Sequence, residues 1–148
     1  MESVKDILNH KGSQVWAVNP DTKVFDALKL MGEKNIGAVL VVDNKENLKG
    51  IFSERDYARY AVGSVEGKEC PWDHKVEDLM TKEVLYVTED KSVDYCMGLM
   101  TSKRLRHIPV MHEDKIIGLI SIGDIVKAVL GEKDFIIDQM EHYIWDNA

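Results

Sequence analysis

Two Ser-x-x-Asp pairs stand at matching places in the chain, Ser53 with Asp56 and Ser121 with Asp124. Each follows a glycine and a short apolar run. At a helix start this spacing is a capping box: the serine hydroxyl accepts from the third backbone N–H and the carboxylate reaches back to the first. A carboxylate so placed is also able to accept from two adjacent hydroxyls of a ligand. The two uses are compatible, because a helix N-terminus favours a nearby anion. The second feature is Lys103-Arg104-Leu105-Arg106-His107, a dense basic run in an acidic chain. Arginine forks match phosphate oxygens, so Arg104, Arg106 and His107 are candidate phosphate contacts. The plainer alternative is a solvated surface. The matching place in the first half, Lys34-Asn35-Ile36-Gly37-Ala38, carries almost no charge.

The elements that must hold these residues occur twice. Val4-Lys5-Asp6-Ile7-Leu8 resembles Val76-Glu77-Asp78-Leu79-Met80, and Trp16-Ala17-Val18 matches Leu85-Tyr86-Val87. Leu28, Leu30, Met31 and Lys34 match Met97, Leu99, Met100 and Lys103. Gly50-Ile51-Phe52-Ser53 matches Gly118-Leu119-Ile120-Ser121, and Asp56 matches Asp124. An ordered series of this kind indicates two copies of one unit. Each copy begins with an extended piece, residues 14–18 or 84–87. A helix follows, with Val24, Leu28 and Met31 or Val93, Met97 and Met100 on one face. Next comes a strand over 36–42 or 107–111, the first almost unbroken apolar, as a strand covered on both faces should be. Turn residues Asp43-Asn44 or Glu113-Asp114 lead to a strand over 48–52 or 116–120. The second helix starts at Ser53 or Ser121. The predicted fold is therefore mixed α/β (α+β), with two tandem β-α-β-β-α repeats packed with approximate two-fold symmetry, since one such unit has too small a core to stand alone. The divisions are 1–62 for the first repeat, 63–75 for a surface linker, 76–131 for the second repeat and 132–148 for a C-terminal helix. That last helix is expected from the apolar stripe Ile136, Ile137, Met140, Tyr143 and Ile144.

With 148 residues, the chain allows one ordinary globule but not a barrel enzyme, which needs about 250. A net charge of −7 argues against nucleic acid and anionic membranes as partners. No apolar run approaches the roughly 20 residues of a membrane span. The first ten residues lack the apolar core of a signal peptide. Two cysteines without a CxxC pair fit a reducing, cytoplasmic setting. Cys70 and His74 are too few for a structural metal site, so no metal is expected. Cys96 belongs on an apolar helix face, and Lys11 reads as a surface lysine with a phosphate as its alternative. No nucleophile elbow, Walker loop or His-Glu-x-x-His pattern is present, which agrees with a binding module and not an enzyme.

The segments 50–56 and 118–124 resemble the closing motif of the cystathionine β-synthase (CBS) domain, and Arg106-His107-Ile108-Pro109-Val110 resembles its middle strand. Two tandem copies are similar to a Bateman module, a likeness that runs from Val4 to Leu130. Lys11-Gly12 and the stretch from Glu141 to Ile144 are similar to small stand-alone members consisting of one such pair. The resemblance implies a cleft between the repeats for adenosine-containing ligands such as AMP, ADP, ATP, S-adenosylmethionine or NAD(H). It assigns Asp56 and Asp124, supported by Ser53 and Ser121, to ribose hydroxyls. It turns Arg104, Arg106 and His107 toward the same cleft, where Arg55 at a helix start would join them. Gly37-Ala38 would admit a flat purine to the strand edge, with Ile36, Ile108 and Pro109 beside it; simple core packing is the alternative for each of these. The resemblance also implies a homodimer, often a disc of four repeats. The function so implied is a regulatory module whose shape, altered by AMP, ATP or NAD(H), is read by a regulated protein not identifiable from this chain. The alternatives are a ligand-free dimerisation scaffold and, less favoured, an enzyme using NAD.

Overall fold

A computed structural model describes residues 2–67 and 73–131. The elements run α1 (Val4–Lys11), β1 (Ala17–Val18), α2 (Val24–Lys34), β2 (Ala38–Val42), β3 (Leu48–Ser53), α3 (Glu54–Gly67), α4 (Val76–Leu79), α5 (Val93–Lys103), β4 (His107–His112), β5 (Lys115–Ser121) and α6 (Ile122–Leu130). The mixed α+β plan of two repeats is as the sequence predicts. Strand β2 pairs antiparallel with β3 and β4 with β5, and both ladders shift register at the same place, between Val41 and Val42 and between Val110 and Met111. Helix α3 continues through Gly63 to Gly67, into the stretch the sequence reading gives to the linker. The expected C-terminal helix, Cys70 and Trp72 lie outside the described residues.

The opening strands differ between repeats for a reason visible in the sequence. Strand β1 lies parallel to β2, and Leu40 donates its N–H to the Trp16 carbonyl at 3.1 Å. The residue at the place of Leu40 in the second repeat is Pro109, which has no N–H to give. The expected strand over 84–87 is therefore reduced to a single parallel bridge, Val87 with Val110. Val87 still donates to Pro109 O at 3.0 Å and accepts from Met111 N at 2.9 Å.

The opening helices are exchanged. Val4, Ile7 and Leu8 of α1 are buried in one cluster with Val93, Cys96, Met100, Ile108, Val110, Ile120 and Ile125, all from the second repeat. Val76 of α4 completes the other cluster, with Val24, Ala27, Met31, Val39, Val41 and Phe52 of the first. Backbone hydrogen bonds fix the exchange: Val4 N to Lys91 O at 2.9 Å and Val93 N to Glu2 O at 3.0 Å on one side, Val76 N to Thr22 O at 2.8 Å and Val24 N to His74 O at 2.9 Å on the other. Two glycines make room for it. A Cβ on Gly118 would lie 2.6 Å from Leu8 Cδ2, and one on Gly50 would lie 2.5 Å from Met80 Sδ and 2.8 Å from the Thr81 carbonyl. Each core thus contains residues of both repeats, so neither repeat folds around its own sequence alone.

Candidate functional site

Both Ser-x-x-Asp pairs form the capping box that their spacing specifies. At α3, Asp56 Oδ2 accepts from Ser53 N at 2.9 Å and Ser53 Oγ at 3.1 Å, and Ser53 Oγ accepts from Asp56 N at 3.4 Å. At α6, the same three bonds join Ser121 and Asp124 at 2.8, 3.1 and 3.2 Å. Capping uses one carboxylate oxygen in each case. The other oxygen of Asp56, Oδ1, accepts only a long 3.3 Å bond from the Thr81 hydroxyl. A rotatable, neutral donor at that distance yields easily to a better one.

Asp56 faces the other repeat's strand entrance. Asp56 and Ser53 share a cavity of about 400 Å³ with Arg55, Arg59, Thr81, Lys103, Arg104, Arg106 and His107. Arg55 Nη1 donates to the Arg104 carbonyl at 3.2 Å, tying the start of α3 to the end of α5. This cavity holds two carboxylates, Asp56 and Glu54, with guanidinium, ammonium and imidazole groups around them. Arg104 ends α5 in the left-handed region, at φ 54° and ψ 43°. Its counterpart Asn35 ends α2 at φ 54° and ψ 49°. Asparagine tolerates that conformation better than arginine, for which it costs roughly 1 kcal/mol.

The second aspartate meets a different surrounding. Lys11, the last residue of α1, donates to Asp124 Oδ2 at 2.7 Å and to the Leu119 carbonyl at 2.8 Å. A chamber of about 240 Å³ beyond it is lined by Gln14, Val15, Trp16, Ile36, Gly37, Ala38, His107, Leu119 and Ser121 with Lys11 itself. Burial alone would raise the Asp124 carboxyl, but the hydrogen bonds from Lys11 and Ser121 outweigh it and hold the group below the usual carboxylate range. His107 lies where the two cavities meet and lines both. A Cβ on Gly37 would lie 3.5 Å from the His107 ring, so a small residue is needed there. Burial lowers the affinity of His107 for a proton. Lys11 and Arg106 reinforce that, Asp124 and Glu54 oppose it, and the net direction is downward, which leaves the ring neutral at neutral pH.

Of the residues singled out in the sequence, Ser53, Arg55, Asp56, Arg104, Arg106, His107 and Gly37 come together in the first cavity. Ile36, Gly37, Ala38, His107 and Ser121 line the second, with Asp124 on the far side of Lys11. Ile108 and Pro109 line neither of these. Both are fully buried; Ile108 sits in the second repeat's core, because alternation along β4 turns it away from the cleft. Leu105 packs partly against the same core. Thr81, Arg59 and Lys11 were not assigned to the site by sequence. Arg59 falls one helical turn after Arg55, a spacing that places both on one face. Thr81 follows the repeated Val76–Met80 segment, and its place beside Asp56 depends on the helix exchange. Among the described residues, no group of three or more His, Cys, Asp or Glu side chains is arranged to hold a metal ion.

Comparison with known proteins places the architecture. The family model of the CBS domain matches residues 4–63 and 76–131, and the chain belongs to that family. It is 39% identical over 151 residues to the CBS domain-containing protein CBSX3, mitochondrial, of Arabidopsis thaliana, an alignment covering 96% of this chain and 71% of that protein. It is similar to a putative signal-transduction protein with CBS domains from Burkholderia ambifaria, at 46% identity and TM-score 0.81, covering 87% of this chain and 94% of the other. It is also similar to CBSX2, solved in complex with AMP, at 28% identity and TM-score 0.70, covering 90% and 99%.

Proposed function

We propose that the chain is a regulatory module that binds an adenine nucleotide, AMP, ATP or NAD(H), in the Asp56 cleft. One observation carries this reading: a carboxylate with an available oxygen and a cluster of basic side chains share one cavity of about 400 Å³, large enough for a nucleotide. Asp56 Oδ1 accepts from the ribose hydroxyls in place of Thr81. The phosphates meet Arg104, Arg106, His107 and Arg55, where guanidinium forks give paired charge-assisted bonds. The AMP complex of the similar protein CBSX2 supports the ligand class. Because the cleft is built from Asp56 of one repeat and the basic run of the other, a ligand there bridges the repeats and favours one packing of them over another. No catalytic role is assigned to any residue. The ligand's bridging action is the signal, and a regulated partner reads it.

A homodimer fits the same reading. Ile122, Val126 and Val129 of α6 are each about half exposed and form an apolar groove with Met97 and Met100 of α5. A contiguous apolar face of this kind is covered in working proteins, and a second copy covers it symmetrically. A monomer by sedimentation at micromolar concentration would contradict the dimer. Cys96 is a buried free thiol, consistent with the cytoplasmic setting expected from the sequence. For the ligand itself, calorimetric titration with AMP, ATP and NADH is the test. Saturable binding by at least one is expected, and no heat with any of the three would overturn the assignment.

A further inference from the structure

We infer that Lys11 closes the Asp124 cleft to nucleotide, so that one chain takes a single ligand, at Asp56. The inference rests on the nucleotide-binding reading above and goes beyond it by selecting between two sites that the repeat makes formally equivalent.

The closing motif supplies each cleft with the same pair of acceptors, an aspartate and the carbonyl two residues before its serine. In the first cleft these are Asp56 and Ile51 O, and Thr81 satisfies both. Its N–H donates to Ile51 O at 2.9 Å and its hydroxyl to Asp56 Oδ1 at 3.3 Å. In the second cleft they are Asp124 and Leu119 O, and the Lys11 ammonium satisfies both, at 2.7 and 2.8 Å. Both donors belong to the opening segments, Lys11 as the last residue of α1 and Thr81 two residues past the end of α4, but their chemistry differs. A threonine hydroxyl is neutral and small. An ammonium neutralises the carboxylate and makes a charge-assisted bond to Asp124 Oδ2, the oxygen that also caps α6. The Asp124 side chain is 14% exposed beneath it.

The cavities record the consequence. Ser53, Asp56, Thr81 and the basic run line one undivided space. On the other side the space is divided. Trp16, Gly37, Ala38 and Ser121 line one chamber, Asp124 with His10 and Lys127 lines another, and Lys11 is the one residue common to the two. The lysine side chain is the partition that separates the carboxylate from the place where a purine would sit. The helix that carries it is anchored, since Ile7 and Leu8 are buried in the second repeat's core. Gly12 follows at φ 91°, where the chain turns out of the helix.

Titration of AMP into the full chain by calorimetry, with wild type, Lys11→Met and Asp56→Ala side by side, tests this. Methionine keeps the stem and removes the ammonium. One AMP per chain is expected for wild type, two for Lys11→Met, and none for Asp56→Ala. Two AMP per wild-type chain, or unchanged single binding by a folded Lys11→Met, would overturn the inference. If Lys11→Met fails to fold, Asp56→Ala decides alone, because residual AMP binding there would mean that the Asp124 cleft is open. No AMP binding by either wild type or Lys11→Met would overturn the inference for AMP, and no heat with ATP or NADH as well would remove the nucleotide reading on which it rests.

Discussion

The two clefts come from one repeated sequence plan and share a helix cap, a strand pair and a bulge, yet they differ in what surrounds the aspartate. The Asp56 cleft joins its carboxylate to basic side chains and leaves one carboxylate oxygen with a weak, exchangeable partner. The Asp124 cleft joins its carboxylate to Lys11 and faces the uncharged Ile36-Gly37-Ala38 edge. The closing motif caps a helix in both. Ligand chemistry depends on what the opposite repeat and the exchanged helix bring to it. A binding motif in a duplicated module therefore marks two helix starts with certainty, and a site only where its surroundings complete one.

The largest expected separation between the clefts is in affinity. Asp56→Ala removes two hydrogen bonds to a charged acceptor, each worth about 1.5–3 kcal/mol, and should weaken nucleotide binding at least about a hundredfold. Asp124→Ala should leave affinity nearly unchanged and cost stability instead, about 1 kcal/mol for the lost cap. Calorimetry for binding and thermal melting for stability read the two effects separately. Equal losses of affinity from both variants would make the clefts equivalent.

The exchanged helices give the next comparison. Gly50→Ala should destabilise by about 1–3 kcal/mol, because its Cβ would press on the Thr81 backbone as well as on Met80. Gly118→Ala should cost less, since the atoms it meets belong to the Leu8 side chain, which is able to shift. Denaturant melts of the two variants check the order. The reverse order would mean that the two opening helices are not seated alike.

Arg104 separates backbone from ligand. Arg104→Asn restores the residue type found at the matching turn, so stability should stay the same or rise by a few tenths of a kcal/mol. Nucleotide affinity should fall about tenfold, with a flatter dependence on salt as one phosphate contact is lost. A variant that lost stability and kept affinity would return Arg104 to the turn.

The smallest effect is with pH. His107 has a lower proton affinity in the fold than in the unfolded chain, mainly through burial. Its stabilising contribution is present above the ordinary histidine pKa of about 6.5 and is lost as pH falls below it, because the unfolded chain then takes up the proton first. Bound phosphate reverses the preference by favouring imidazolium. Melting temperature should therefore decline below that pH without nucleotide and decline less with it, and His107→Gln should remove the difference.

Much of this fold is legible in the sequence. The β2–β3 and β4–β5 pairs and the helices α2, α3, α5 and α6 follow from apolar periodicity and from the Ser-x-x-Asp starts. The reduction of the expected strand over 84–87 to a single bridge at Val87 was not foreseen, although Pro109, which causes it, was in view. The exchange of α1 and α4 was not legible, because Val4, Ile7 and Leu8 have the pattern of a buried face but nothing in them says which core receives it. From that exchange follow the places of Thr81 and Lys11, and so the difference between the clefts. Arg104, Arg106, His107, Asp56 and Ser53 were legible as chemistry-bearing residues, since their types are unusual where they stand. Ile108 and Pro109 were not separable from cleft residues by type; the facing of β4 puts Ile108 in the second repeat's core, and Pro109 is buried without lining either cavity.

The most direct test is a crystal structure of the full chain grown with AMP. The account predicts the ribose hydroxyls on Asp56, the phosphate among Arg104, Arg106 and His107, and Lys11 still on Asp124. AMP bound at Asp124 with Lys11 displaced and the Asp56 cleft empty would contradict it.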